Sequence, residues 1–141
     1  MQWHKGPFTI SDAKEDVDLQ AVCALLRETY WAANRPADVV RKSIAGSLCF
    51  ALLFENRQIG FARVVSDFAT HGILLDVIVH SEFRQQGLGK WLVQCVTQHP
   101  AVQSVCLTLW TVDADRLYRQ FGFTEVADRK FMRRPSQTPT P

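Results

Sequence analysis

Residues 84 to 90, Arg84-Gln85-Gln86-Gly87-Leu88-Gly89-Lys90, place two glycines and two cations where an apolar run gives way to a helical pattern. The first amides of a helix have no partner inside it, and the helix dipole is positive at that end. Glycines remove the Cβ atoms that would keep a diphosphate off those amides, and Arg84 and Lys90 add charge-assisted contacts. The spacing points to an anion site. Two familiar phosphate loops do not fit it. The P-loop needs glycine at 84 and Ser or Thr at 91, where Arg84 and Trp91 stand; the dinucleotide fingerprint needs glycine at 92, where Leu92 stands. On spacing alone the choice is between a phosphate cradle and a plain helix start. Just upstream, Asp76 puts a carboxylate into the apolar stretch 73–79. Burial would raise its pKa and suit it to proton abstraction, whereas an arginine such as Arg63 would hold it as a structural ion pair.

The elements that position these residues follow from periodicity. Phe8-Thr9-Ile10 is an extended start that ends at Ser11-Asp12. From Asp16, the apolar residues Leu19, Val22, Cys23, Leu26 and Tyr30 recur on one helical face. Asn34-Arg35-Pro36 breaks that helix, and Pro36 opens a second through Val39, Val40 and Ile44, closed by Gly46. The apolar runs 48–54 and 59–65, joined by Glu55-Asn56-Arg57-Gln58, predict a hairpin, followed by a polar loop over 66–72. The stretch 73–79 is the most apolar strand, as a central strand is. Leu88, Trp91, Leu92, Cys95 and Val96 mark a third helix ended by His99-Pro100. A strand over 105–110, a short helix through Ala114, Leu117, Tyr118 and Phe121, and a terminal hairpin over 123–126 and 130–132 complete the pattern. Trp91 and Trp110 are expected in the core. The order describes a mixed α/β layer around one sheet: one domain over 1–134 and a disordered, proline-rich tail over 135–141.

A chain of 141 residues, 47% of them apolar, suits one core. Sixteen basic residues against 14 acidic ones leave a net charge of +2, with no basic run to steer nucleic acid. Cys23, Cys49, Cys95 and Cys106 stand far apart in apolar runs, so neither a metal site nor a redox pair is expected, only buried thiols in a reducing compartment. Met1-Gln2-Trp3-His4-Lys5 lacks the apolar stretch of a signal peptide, and no run is long enough for a membrane span. A cytoplasmic protein with no membrane partner is expected.

Arg84-Gln85-Gln86-Gly87-Leu88-Gly89 resembles the Arg/Gln-x-x-Gly-x-Gly/Ala signature of the GNAT acetyltransferase superfamily. The stretch Ala114-Asp115-Arg116-Leu117-Tyr118-Arg119-Gln120-Phe121-Gly122-Phe123 resembles its second signature, Ala-x-x-Leu-Tyr-x-x-x-Gly-Phe. The resemblance covers roughly residues 8 to 133. It implies an α/β fold with a mixed central sheet of about six to seven strands, splayed between the fourth and fifth, and about four helices. It also implies acetyl-CoA as co-substrate, no metal, and direct transfer of the acetyl group to a primary amine.

In that frame the pyrophosphate lies on Arg84, Gln85, Gln86, Gly87, Leu88, Gly89 and Lys90. The pantetheine arm pairs with Val77, Ile78 and Val79 in the gap beside their strand, and a backbone N–H near Ile78 or Val79 polarises the thioester carbonyl. Tyr118 occupies the family's general-acid position, with simple packing beside Leu117 and Phe121 as its alternative. Asp76, then His71, are the candidate bases, and a water relay is a third route. Many relatives carry Asn in the stretch filled here by Thr111-Val112-Asp113, where the Thr111 hydroxyl can still hydrogen-bond the pantetheine. The acceptor site of the family is built from the first two helices and the 66–72 loop, here Tyr30, Trp31, Arg35 and the loop up to His71. Two aromatics beside an arginine suit an aromatic or carboxylate-bearing small amine, or else form a staple between helices. The implied function is N-acetylation of a small-molecule amine. The alternatives are a protein lysine or N-terminal acetyltransferase and a non-catalytic acyl-CoA sensor. Dimers are frequent in the superfamily, so a homodimer is among the expectations.

Overall fold

The computed structural model describes residues 1–138; residues 139–141 of the expected tail lie outside the described residues. Six strands form one sheet in chain order: β1 (Gln2–Lys5), β2 (Phe8–Ser11), β3 (Leu48–Phe54), β4 (Arg57–Ser66), β5 (His71–Val79) and β6 (Cys106–Thr108). Every neighbouring pair is antiparallel except β5 with β6, which is parallel. The helices are α1 (Leu19–Arg27), α2 (Ala37–Ala45), α3 (Leu88–Gln98), the single turn α4 (Pro100–Gln103) and α5 (Asp115–Arg119).

Period-two alternation in β3 and β4 gives each sheet face its own core. Phe50, Leu52, Ala62 and Val64 pack with Leu88, Leu92, Cys95 and Val96 of α3. Their neighbours Cys49 and Phe61 pack with Val22, Cys23, Leu25 and Leu26 of α1 and with Val40 of α2. Local chemistry sets the ends of the elements. Asp18 caps α1 by accepting from the amides of Gln20 and Ala21, and Gly46 follows α2. Glu55 (φ 47°) and Asn56 (φ 68°) are both left-handed, the signature of a two-residue type I′ turn. Arg57 and Gln58 therefore belong to β4 and not to the turn.

Several expectations are corrected. β1 pairs with β2 through residues not read as a strand, because Gln2–Lys5 is largely exposed and lacks an apolar run. It shifts the count, so that the splay falls between β5 and β6. α1 stops at Arg27 rather than at Tyr30. β6 keeps only three residues, and 123–126 and 130–132 form no strands. Trp110 is 58% exposed rather than in the core, and Cys106 is exposed, because both lie at or beyond the thin last strand of the sheet. Trp91 is half-buried against the α3-side core. Among the described residues, no helix is long and apolar enough to cross a membrane.

Two irregularities in β5 shape the site. Leu75 faces Arg63 and Ile78 faces Phe61, so three steps on β5 match two on β4. This bulge centres on Asp76, which takes the left-handed φ of 53° that Asp tolerates better than most residues. The extra residue switches the pleat: Leu74 packs in the α3-side core, whereas Ile78 packs in the α1-side core. On its other edge β5 pairs with β6 only over His71, Gly72 and Ile73. From Leu74 onward that edge has no strand partner among the described residues.

Candidate active site

The open edge of β5 runs toward residues 84–90. There Gln85 (φ 64°) and Gly87 (φ 75°) turn the chain into α3. Among the described residues, the amides of residues 85 to 90 donate to no protein acceptor. A Cβ on Gly87 would meet nothing within 4 Å, and one on Gly89 would meet only Val79 Cγ2 at 3.8 Å. Open space thus lies beside a row of free donors at the positive end of a helix, and this fits a diphosphate better than a plain helix start. Arg84, Gln85, Gln86 and Lys90 are exposed, whereas the Leu88 side chain is core and offers only its amide. Arg84 Nε donates to the Val79 carbonyl at 3.0 Å, which ties the loop to the end of β5.

Asp76 is the second centre. Its Oδ2 accepts from Arg63 Nε at 2.7 Å and from Arg35 Nη1 at 2.9 Å, and its Oδ1 accepts from Trp31 Nε1 at 3.0 Å. Arg63 Nη1 also donates to Ser47 Oγ at 3.2 Å. Burial by itself pushes the Asp76 carboxyl up, but the hydrogen bond and charge of Arg63, with those of Arg35, outweigh it and hold the group below the usual carboxylate range. That overturns the expectation that burial makes Asp76 a stronger base. Its side chain is only 3% exposed and both its oxygens are engaged.

Tyr118 is partly buried against the α3-side core, with its ring 5.8 Å from that of Phe123. Burial pushes its phenol pKa up and the Tyr30 phenol adds to the shift, so the proton stays on at neutral pH. Tyr30 in turn meets Trp31 edge to face, with centroids 5.0 Å apart. The residues expected to act on the acceptor side therefore converge as Tyr30, Trp31, Arg35 and Asp76.

His71 and Thr111 stand apart. His71 is exposed at the start of β5, five residues from Asp76 and about 16 Å away at a strand's rise. The Thr111 hydroxyl accepts from the Ala114 amide at 3.0 Å and so caps the turn into α5. Sequence reading missed Ser47, which nothing in its neighbourhood marks, and missed the bulge. A charged residue tolerant of left-handed backbone inside an apolar strand is the one signal that could have revealed it. A hollow of about 440 Å³ between α1 and the β3–β4 turn, lined in part by Ala21, Leu25, Arg57 and His80, shares no residue with either centre.

Comparisons with known proteins point to one family. Residues 45–125 match the family profile described as an acetyltransferase (GNAT) domain, a span that contains the free-amide loop, Asp76 and Tyr118. A crystallised GNAT-family protein from Xanthomonas campestris pv. campestris is 36% identical, with a TM-score of 0.86 over 92% of this chain and 93% of that one. The aminoglycoside N-acetyltransferase AAC(6')-Iy, crystallised with CoA, is 17% identical and similar in fold, with a TM-score of 0.69 over 92% of this chain and 95% of that one. Among curated proteins, ycf52 of Gracilaria tenuistipitata var. liui, an uncharacterized N-acetyltransferase, is 29% identical over 113 residues, or 75% of this chain. A Gibberella zeae protein named for acetyltransferase activity is 26% identical over 116 residues, or 68% of this chain. The chain spans 66% of the length of the Gibberella protein and 60% of ycf52. With more than half of its residues inside the family profile, the chain belongs to the GNAT acetyltransferase family.

Proposed function

We propose that this protein is an acetyl-CoA-dependent N-acetyltransferase that passes the acetyl group directly to a primary amine of a small molecule. The observation that carries this reading is the row of unpartnered amides at residues 85 to 90, set at the open end of the β5 edge. Acetyl-CoA supplies a thioester, whose acyl carbon bonds to the amine nitrogen as its C–S bond breaks and the sulfur leaves as thiol. The amides of Gln85, Gln86, Gly87, Leu88, Gly89 and Lys90, with the Arg84 and Lys90 cations, hold the pyrophosphate. The free edge at Val77, Ile78 and Val79 pairs with the pantetheine arm, and a backbone N–H near Ile78 or Val79 polarises the carbonyl. Thr111 keeps its hydroxyl hydrogen available to that arm, because only its oxygen is engaged in the cap. Tyr118 gives its proton to the departing sulfur; its raised pKa keeps that proton in place until it is needed.

Asp76, held by three donors, positions Trp31 and Arg35, and the proton shed by the amine leaves through water. The fold relative crystallised with CoA and the relatives named as N-acetyltransferases support the donor and the reaction. A second copy of the chain is a further partner we propose, favoured by exposed apolar residues beside β6.

Calorimetry with acetyl-CoA, paired with turnover of Tyr118→Phe, tests this reading. The expected result is clear acetyl-CoA binding in both proteins and a fall in kcat on the order of a hundredfold in the variant. No heat with acetyl-CoA would sink the enzyme reading, and an unchanged kcat would remove Tyr118 from the acid role.

A further inference from the structure

The cluster around Asp76 does not balance its charge. Two guanidiniums, Arg63 and Arg35, share one carboxylate, and among the described residues no other acidic group lies within ion-pair distance of either. Their side chains are 11% and 22% exposed, so solvent compensates the surplus only in part. Arg63 is turned inward, giving Nε to Asp76 and Nη1 to Ser47. Arg35 stands at the rim of the cluster. It gives Nη1 to Asp76, and the rest of its planar fork donates to nothing among the described residues. Beside it Trp31 is 47% exposed yet fixed in orientation by its indole hydrogen bond to Asp76, and Tyr30, 73% exposed, packs edge-on against it.

From this juxtaposition we infer that the acceptor amine carries a carboxylate, which the free edge of Arg35 receives while Trp31 and Tyr30 flank the rest of the molecule. The inference rests on the acetyltransferase reading and names the substrate class for that same site. A guanidinium edge matches a carboxylate with two parallel hydrogen bonds, and an incoming anion brings the cluster from a surplus of one positive charge to neutrality. The same surplus repels acceptors that are cations and nothing else, which selects amino acids over diamines and polyamines. The amine sheds its proton to water, in keeping with the fully engaged Asp76.

The test compares kcat/KM for amino acids whose carboxylate lies one to three carbons from the amine with kcat/KM for their primary amides. The amides have the less basic amines, so solution reactivity favours them, and any preference for the acids comes from the protein. Wild type should prefer the acids on the order of tenfold or more, and Arg35→Gln, which leaves the Asp76–Arg63 pair in place, should lose that preference. A second readout needs no turnover: the Arg35 guanidinium 15Nε resonance should shift on titration with 3-phenylpropanoate and stay put with phenethylamine. Amides turned over as well as acids, a preference that survives Arg35→Gln, or an unmoved Arg35 resonance overturns the inference. Failure to bind acetyl-CoA strikes the underlying reading instead, so the two failures are distinguishable.

Discussion

At the scale of single residues, Asp76 has the clearest energetic consequence. Its two cationic partners come from β4 and from the loop between α1 and α2, and Trp31 is 45 residues away in sequence. Replacing it with Asn keeps the shape and the tolerance for a left-handed backbone but leaves Arg63, 11% exposed, without a counter-charge. Removal of one member of a buried pair leaves the other charge uncompensated, so Asp76→Asn is expected to cost about 3 kcal/mol in urea unfolding at neutral pH. The pH dependence has a definite sign. The folded-state pKa of Asp76 lies below its unfolded value, so its contribution is fully present above the unfolded pKa of about 3.9 and is lost as pH falls through the folded value. Wild type and variant should therefore differ least in strong acid; a gap that widens on acidification would remove the ion pair from the account. The sequence showed a carboxylate in an apolar strand and a candidate partner in Arg63. It could not show Arg35 and Trp31 as partners, because contacts across more than 40 residues depend on how the α1–α2 loop settles on the sheet.

Among the elements, β5 and the start of α3 do most to build the site, and they were legible to different degrees. The turn at 84–90 and the helix after it could be read because they depend on backbone: glycine spacing, a strand before and a helix after. The bulge left only one trace in the sequence, an Asp inside an apolar run, because it shifts register by one residue with little change in composition. The two glycines of the loop play separable parts. Gly87 sits at φ 75°, where a side chain is strained by about 1–2 kcal/mol, and its Cβ would enter the open space beside the free amides. Gly89 has no such φ, and its Cβ would make only ordinary contact with Val79 at 3.8 Å. Gly87→Ala should therefore weaken acetyl-CoA binding in calorimetry by roughly tenfold. Gly89→Ala, a residue that the family signature also admits, should bind within a few-fold of wild type. The reverse order would place the diphosphate somewhere other than this helix start.

For the whole molecule, the single mixed sheet and most of its strands and helices were readable from apolar runs, whereas β1 and the C-terminal end were not. Residues 123–126 and 130–132 carry strand-like composition, but a strand needs an edge to pair with, and β6 offers three residues. The outcome is a patch at one end of the sheet. Trp110 stacks on Phe131 with centroids 5.4 Å apart, both rings are more than half exposed, and Val126 and Met132 are exposed as well. The outer side of β6 is the last edge of the sheet in this order, an unpaired row of donors and acceptors that a second chain can extend. A two-fold axis at that edge would let each copy cover the other's aromatic pair with the same surface, as closed symmetric dimers require. We therefore expect a dimer in sedimentation velocity, and expect Phe131→Glu, which puts a charge into the aromatic pair, to dissociate it. A wild-type protein that sediments as a monomer at its highest soluble concentration would show instead that the chain tolerates this apolar end in water, and that each active site is complete in a single copy.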